Sequence, residues 1–245
     1  MQALILAAGM GTRMGQYTER ISKCMLSVGG ISLIERAVTS LKNAGIERLI
    51  VITGYKSKLL SGFIRERISD IEINFIDNPI FATTNNIYTL YLARNEMVNH
   101  DTILLEADLI FGNNLILSLC QTPDPNMAVV DLYDPTWMSG TVVRLQKGKI
   151  VSSFIPKKEI DPMQIERYYK TVNIYKFSKE FSRDLFIPAL SFDVESGNVN
   201  QYYETVLGKV TQNSGPCLSA FLMNGRKWYE IDDENDFNKA IKLFT

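Results

Sequence analysis

The chain has 245 residues, 46% of them hydrophobic, with 26 basic and 27 acidic side chains and a formal net charge of −1. That length carries one large α/β domain, or a domain with a small lobe, and the charge balance argues against general binding to nucleic acid or to a membrane surface. Three widely spaced cysteines, Cys24, Cys120 and Cys217, make no C-x-x-C, which excludes a zinc ribbon or a disulfide framework, and a single histidine, His100, excludes histidine-triad and His-rich metal chemistry.

Any chemistry must therefore run on carboxylates, a metal ion, lysine and arginine. No basic segment precedes the first apolar run and no apolar stretch is long enough to span a membrane. With the unpaired cysteines, this leads us to expect a cytoplasmic protein.

Gln2 to Leu6 reads as a buried strand, a short apolar run stopped by a glycine-rich turn. Ala7, Ala8, Gly9 and Gly11 then leave the backbone nearly bare, so its N–H groups can approach an anionic ligand closely. Thr12, Arg13 and, a little further on, Lys23 add a hydroxyl and two positive charges, a combination that suits a triphosphate. A Walker A loop is excluded because no Gly-Lys-Ser/Thr occurs. A dinucleotide-binding G-x-G-x-x-G is excluded because Met14 stands in the third glycine's place.

Strands and helices alternate through the first half, which predicts a parallel sheet with crossover helices. Ile31 to Ala44 carries a helical apolar stripe closed by Gly45, Arg48 to Thr53 is a β-branched strand ending at Gly54, Lys56 to Ile68 is an amphipathic helix, and Glu72 to Ile76 is a strand. Asn78-Pro79 breaks it, and Asn85 or Asn86 caps a helix running to about Met97. Thr102 to Leu105 is a strand that delivers Glu106-Ala107-Asp108 at its carboxyl end, where open α/β sheets bind ligands. The Ala7–Met14 loop, Gly54, the Asn78–Asn86 stretch and Asp108 are thus expected along one sheet edge.

After residue 121 the pattern turns β-rich: Ala128–Leu132, Thr141–Gln146, Lys149–Phe154 and Lys170–Phe177, with a hairpin turn at Lys147-Gly148. Helices follow at Ser178–Leu190 and Tyr202–Val210, then short strands at Leu218–Met223 and Lys227–Ile231 around Asn224-Gly225, and a closing helix at Asp233–Phe244. Asp108 reads as a ligand for a divalent ion that would neutralise a triphosphate. Asp232 is a second candidate, but on the residues alone it serves equally as part of the cap of the last helix.

Leu6-Ala7-Ala8-Gly9-Met10-Gly11-Thr12-Arg13-Met14, followed by Lys23-Cys24-Met25-Leu26, resembles the signature of the nucleotidyltransferases that make nucleoside-diphosphate sugars and alcohols. The resemblance implies that Leu6, Ala7, Ala8, Gly9, Gly11 and Thr12 wrap the nucleotide, and that Arg13 and Lys23 hold its β- and γ-phosphates. It also implies that Asp108 and Asp232, in Glu106-Ala107-Asp108 and Tyr229-Glu230-Ile231-Asp232, bind Mg²⁺. Asp233 has no such match and is left as a cap. The implied fold class is α/β, a Rossmann-like, mostly parallel central sheet flanked by helices with a β-rich acceptor-binding insertion. Residues 1–245 form one domain, with nucleotide bound by 1–121 and the acceptor and second metal carboxylate contributed by 122–245.

Three stretches narrow the resemblance to the bacterial choline-phosphate cytidylyltransferases and their phosphonate-activating relatives: Asn85-Asn86-Ile87-Tyr88-Thr89-Leu90-Tyr91, Trp137-Met138-Ser139-Gly140-Thr141-Val142-Val143, and Tyr168 to Tyr175. This implies CTP as donor, pyrophosphate as leaving group, and phosphocholine or 2-aminoethylphosphonate as the type of acceptor, in surface-glycan or phosphonate decoration. Ser139 departs from the aspartate common in the 2-aminoethylphosphonate branch and removes a charge that could pair with a primary ammonium. Backbone groups of Ala7, Ala8 and Gly54 and the amide of Asn78 or Asn86 are candidates for reading cytosine.

Among the aromatic residues of the second half, Trp137 and Tyr175 are candidates for the acceptor, since an aromatic face holds a quaternary ammonium with about 0.5–2 kcal/mol. Lys157 or Lys170 is the candidate phosphate clamp. The acceptor oxygen is already ionised, so a single in-line displacement without a covalent enzyme intermediate is expected. A homodimer is compatible with the resemblance. So is an aminotransferase partner, fused or separate, since some members of the phosphonate branch are fused to one. The alternatives are a sugar-1-phosphate nucleotidyltransferase using UTP or dTTP, and a non-catalytic nucleotide-binding regulatory module.

Overall fold

The computed structural model describes residues 1–245, at Gly148 in backbone only. Its framework is a nine-stranded sheet that begins with Gln2–Ala7 (β1), buried at every position. A small hairpin of Ser27–Val28 (β2) and Ile31–Ser32 (β3) leads into the helix Leu33–Asn43 (α1). Ser32 accepts from the amide of Glu35 while Glu35 accepts from that of Ser32, a reciprocal cap that fixes where the helix starts. Arg48–Thr53 (β4), Ser57–Arg67 (α2) and Glu72–Asp77 (β5) follow as read from the sequence.

The helix expected from Asn85 to Met97 is two, Asn86–Leu92 (α3) and Arg94–Asn99 (α4), broken at Ala93, where the Arg94 guanidinium donates to the Tyr91 carbonyl at 3.1 Å. Thr102–Glu106 (β6) and Leu109–Phe111 (β7) are separated by Ala107 and Asp108, and Leu115–Cys120 (α5) closes the first half.

Met127–Leu132 (β8), Val142–Gln146 (β9), Ile150–Ile155 (β10) and Tyr169–Phe177 (β11) join the same sheet. The expected helix at Ser178–Leu190 begins as Lys179–Phe181 (α6), widens to a π turn over Ser182–Phe186 and continues as Ile187–Glu195 (α7). Pro188 has no N–H for the Asp184 carbonyl, which is a physical reason for the departure from α geometry there. Tyr203–Ser214 (α8), Ser219–Leu222 (β12), Trp228–Glu230 (β13) and Glu234–Phe244 (α9) complete the chain.

The order across the sheet is β5-β4-β1-β6-β11-β8-β12-β10-β9. The first four strands are parallel; β11 is antiparallel to both β6 and β8, and β12 lies parallel to β8, so the sheet as a whole is mixed. One face packs on α1, α2 and α5 through residues such as Ile5, Val51 and Leu105, the other on α3, α7 and α8 through Leu4, Ile52 and Leu104. This alternation along each strand is why the parallel strands read as continuous apolar runs.

Two local features shape the ligand edge. β11 carries a bulge between Thr171 and Tyr175, with Asn173 at φ 58°, which re-aims the strand's side chains where it passes the carboxyl ends of β1 and β6. Gly54, at the end of β4, is buried against the turn after β1. A Cβ there would lie 2.8 Å from Phe81 Cβ and 2.9 Å from the Ala8 carbonyl oxygen. Gly54→Ala should therefore destabilise the protein by about 1–3 kcal/mol through overpacking, read as a lower urea midpoint with an unchanged slope; an unaltered midpoint would show that the turn yields freely.

Candidate active site

The carboxyl ends of β1 and β6, the bulge of β11 and the start of α8 enclose one cleft of about 670 Å³. Leu6, Ala7, Ala8, Gly9, Gly11, Thr12 and Arg13 line one side of it. A Cβ added at Gly9 would meet nothing within 4 Å, so the backbone there stands open to a ligand, and Gly11 takes a left-handed φ of 62° to turn the chain. Thr18 Oγ1 donates to the Gly11 carbonyl at 2.9 Å and Tyr55 N donates to the Ala8 carbonyl at 3.0 Å, which hold the loop in place.

The acidic end of the cleft depends on one short strand pair. β13 runs antiparallel to β7 with Glu230 opposite Leu109, and Ile231 N donates to the Asp108 carbonyl at 3.0 Å. This brings Asp108, Glu230 and Asp232 together, each with a carboxylate oxygen within 4.8 Å of the others. Lys23 Nζ pairs with Asp108 at 2.7 Å and with Asp232 at 3.4 Å, and Arg13 with Asp232 at 2.8 Å.

The two readings of Asp232 are separated by its neighbours. Asp233 accepts from Asp236 N and caps α9, Asp236 in return accepts from the amides of Asp232 and Asp233, and the Asp232 side chain is left facing the cleft.

Burial by itself would lower the Lys23 ammonium, but the carboxylates of Asp108 and Asp232 outweigh it and hold the group well above the ordinary lysine range. Burial pushes Glu230 up to about 7, against the pull of Lys170, with Asp108 and Asp232 adding to the rise. Burial also raises Glu106 well above a normal carboxyl, helped by Asp108 and Glu204, and it raises Glu204. In all three acids the loss of water is the first cause, and neighbouring carboxylates add to it in Glu230 and Glu106. Asp108 Oδ1 is buried with no hydrogen-bond partner among the described residues. Three convergent carboxylates with an unsatisfied oxygen are a donor set that fits a hard divalent cation. Cys24 lines the cleft, but burial pushes its thiol up to about 11, so it is a poor nucleophile at neutral pH.

Of the other sequence candidates, Asn86, Lys157 and Lys170 line the cleft. Asn86 Nδ2 donates to Glu106 at 3.0 Å, Lys157 Nζ to Ser139 Oγ at 3.0 Å, and Lys170 to the Thr171 carbonyl at 2.6 Å while pairing with Glu230 at 3.3 Å.

Four candidates lie outside the cleft lining. Asn78 is fully buried, and its amide donates to Thr84 and Thr89 while accepting from Ile80 N, so it shapes the turn after β5 instead of lining the cleft. Gly54 lies behind the loop, packed on Ala8 and Phe81. Trp137 stacks on Tyr229 with centroids 4.8 Å apart and lies against Trp228, outside the cleft lining. Tyr175 is completely buried between Phe177 and Tyr203, because after the bulge its position on β11 faces the α7–α8 side of the sheet.

Sequence reasoning missed Glu230 and Glu204. Two-residue alternation from Asp232 could have flagged Glu230. Glu204 gives no comparable sign, since only the docking of α8 brings it to the cleft.

A nucleotide-sized cleft with a bare-backbone loop, paired cations and clustered carboxylates at the carboxyl edge of an α/β sheet defines a nucleotide-handling class of protein. Residues 3–144 match the MobA-like NTP transferase domain, and the chain belongs to that family. It is 26% identical, over 100% of its length, to the CMP-5'-(3-aminopropyl)phosphonate synthase of Streptomyces rubellomurinus, but spans only 39% of that longer protein. It is also 26% identical to the CTP:phosphoglutamine cytidylyltransferase of Campylobacter jejuni, over 99% of this chain and 100% of that one. Among solved structures, the CTP:phosphocholine cytidylyltransferase of Streptococcus pneumoniae shares the fold, with a TM-score of 0.82 at 21% identity over 100% of this chain and 99% of the other.

The carboxylate cluster makes a direct prediction. Mn²⁺ binding followed by electron paramagnetic resonance should weaken at least about tenfold in Asp232→Ala and in Glu230→Ala, with the circular dichroism spectrum retained. Unchanged binding in Glu230→Ala would remove that residue from the ligand set.

Proposed function

We propose that the chain transfers a cytidylyl group from CTP to a small phosphate or phosphonate acceptor, in phosphonate or surface-glycan decoration, and releases pyrophosphate. The observation that carries this is the run of the bare Ala7–Gly11 backbone directly into Arg13 and Lys23, which are themselves held by Asp108 and Asp232. The names of two relatives matched over the whole of this chain, one making a CMP conjugate and one using CTP, favour CTP as donor.

In this reading Ala7, Ala8, Gly9 and Gly11 admit the nucleotide without side-chain obstruction, and Thr12, Arg13 and Lys23 take its phosphates. Lys23 remains charged at any working pH because its carboxylate partners outweigh its burial. Asp108, Glu230 and Asp232 would hold Mg²⁺, which when bound neutralises triphosphate charge and orients the reacting phosphorus. The acceptor's ionised oxygen forms a bond to the α-phosphorus as the bond to the β-phosphate oxygen breaks, and pyrophosphate leaves with the electron pair. Lys157 and Lys170 offset the repulsion between an anionic acceptor and the triphosphate. The absence of any need for a protein nucleophile agrees with a protonated Cys24.

The test is pyrophosphate release with Mg²⁺, crossing CTP and UTP against 2-aminoethylphosphonate, phosphocholine and glucose-1-phosphate. Turnover is expected with CTP and an amine-bearing acceptor, inversion at an α-thio-substituted phosphorus, and loss of at least about a thousandfold in Asp108→Ala. Turnover with UTP and the sugar phosphate would move the chain to the sugar-activating reading. CTP binding without any product would make it a nucleotide-binding module.

A further inference from the structure

Asn173 lies in the bulge of β11, lines the cleft and is 6% exposed. Its left-handed φ of 58° is a conformation that glycine adopts at no cost and asparagine tolerates. The backbone alone would be served by glycine, so the amide has a separate part to play. Its Nδ2 donates to Glu230 Oε1 at 3.0 Å. The orientation of the amide is fixed from behind. Asn173 Oδ1 can only accept, so the fully buried Thr171 hydroxyl donates to it at 3.0 Å. The other acceptor within reach of that hydroxyl, the Thr141 carbonyl at 3.1 Å, already receives the Thr171 amide at 3.3 Å.

Glu230 is thereby held at both oxygens. Its Oε2 pairs at 3.3 Å with Lys170, which is itself buried and anchored on the Thr171 carbonyl. Lys170 and Asn173 are three residues apart and in a regular strand would point to opposite faces of the sheet. The bulge brings both to one carboxylate. Among the described residues, these two side chains are the hydrogen-bond and ion-pair partners of the Glu230 carboxylate.

We infer that Asn173 is a positioning residue of the carboxylate cluster: its amide, oriented by Thr171, fixes Glu230 toward Asp108 and Asp232 and so sets the cluster's affinity for a divalent cation. This rests on the reading of those three acids as cation ligands. A neutral N–H donor occupies one lone pair of Oε1 and leaves the carboxylate its charge, so Glu230 can still offer oxygen to a cation while losing the freedom to swing away. Without that donor Lys170 is the remaining partner, and the carboxylate is free to turn toward it.

The experiment measures Mn²⁺ binding by electron paramagnetic resonance in wild type, Asn173→Gly, Glu230→Ala and the double variant. Glycine keeps the φ that the bulge requires and removes only the amide. Asn173→Gly should bind Mn²⁺ about tenfold more weakly or worse, with its circular dichroism spectrum retained. In the Glu230→Ala background the same substitution should change Mn²⁺ affinity less than about twofold, because the amide acts through a carboxylate already removed. The Mg²⁺ concentration for half-maximal pyrophosphate release should rise in Asn173→Gly in parallel with its Mn²⁺ dissociation constant. Thr171→Val, which keeps the volume and removes the hydroxyl that orients the amide, should weaken Mn²⁺ binding in the same direction, and it carries the test if Asn173→Gly does not fold.

Unchanged Mn²⁺ affinity in Asn173→Gly, beside a loss in Glu230→Ala, would overturn the inference and leave Glu230 a ligand. An equal loss in both backgrounds would overturn it too, since the amide would then act without Glu230. If Glu230→Ala binds Mn²⁺ like wild type, the ligand reading of Glu230 falls and takes the inference with it. If the Mn²⁺ pattern is as expected but CTP yields no pyrophosphate with any acceptor, the positioning role stands and the transfer reading falls.

Discussion

The site depends on a strand pair of three residues. β13 returns from more than a hundred residues away and pairs with β7, and that pairing alone brings Glu230 and Asp232 beside Asp108. Three carboxylates this close repel one another, and the protein tolerates them because Lys23 and Arg13 are inserted among them. Of the carboxylates that hold these two cations, Asp232 is brought to them only when β13 is in place. A cluster of this kind stores a demand for positive charge.

The rest of the molecule supports that arrangement from behind. β1, β4 and β6 are covered by helices on both faces, so their carboxyl ends are fixed by a well-packed core, and the loops they carry are correspondingly restrained. Gly54 permits the turn after β4 to close onto Ala8, and Thr18 and Tyr55 hold the carbonyls of the glycine loop. The bulge in β11 divides its side chains between two tasks. Lys170 and Asn173 face the cleft, while Tyr175 and Phe177 enter the core on α7 and α8.

The cleft's charges are interleaved: Arg13 and Lys23 pair with Asp108 and Asp232, Glu230 lies beside those two carboxylates and pairs with Lys170, and Glu106 and Glu204 complete the acidic lining. Burial raises Glu106, Glu204 and Glu230, which records the cost of keeping them there without full compensation.

What the sequence determined by itself was local. The bare loop from Ala7 to Gly11, Arg13, Lys23, the placement of Asp108 at a strand's carboxyl end and the alternation of strand and helix all follow from short-range pattern, and each lies where that pattern puts it. The aromatic candidates show the limit: an aromatic residue in a β-rich stretch can face a ligand or the core, and one residue of register or one bulge decides which. Tyr175 went to the packing side for that reason, while Trp137, in the turn between β8 and β9, stacks on Tyr229, and Asn78 went into a turn. Asp232 and Asp233 were indistinguishable as neighbours until the capping box with Asp236 assigned the cap to one and left the other free. Glu230 and Glu204 became part of the cleft only through tertiary structure, because strand pairing and helix docking act across distances along the chain that no local pattern encodes.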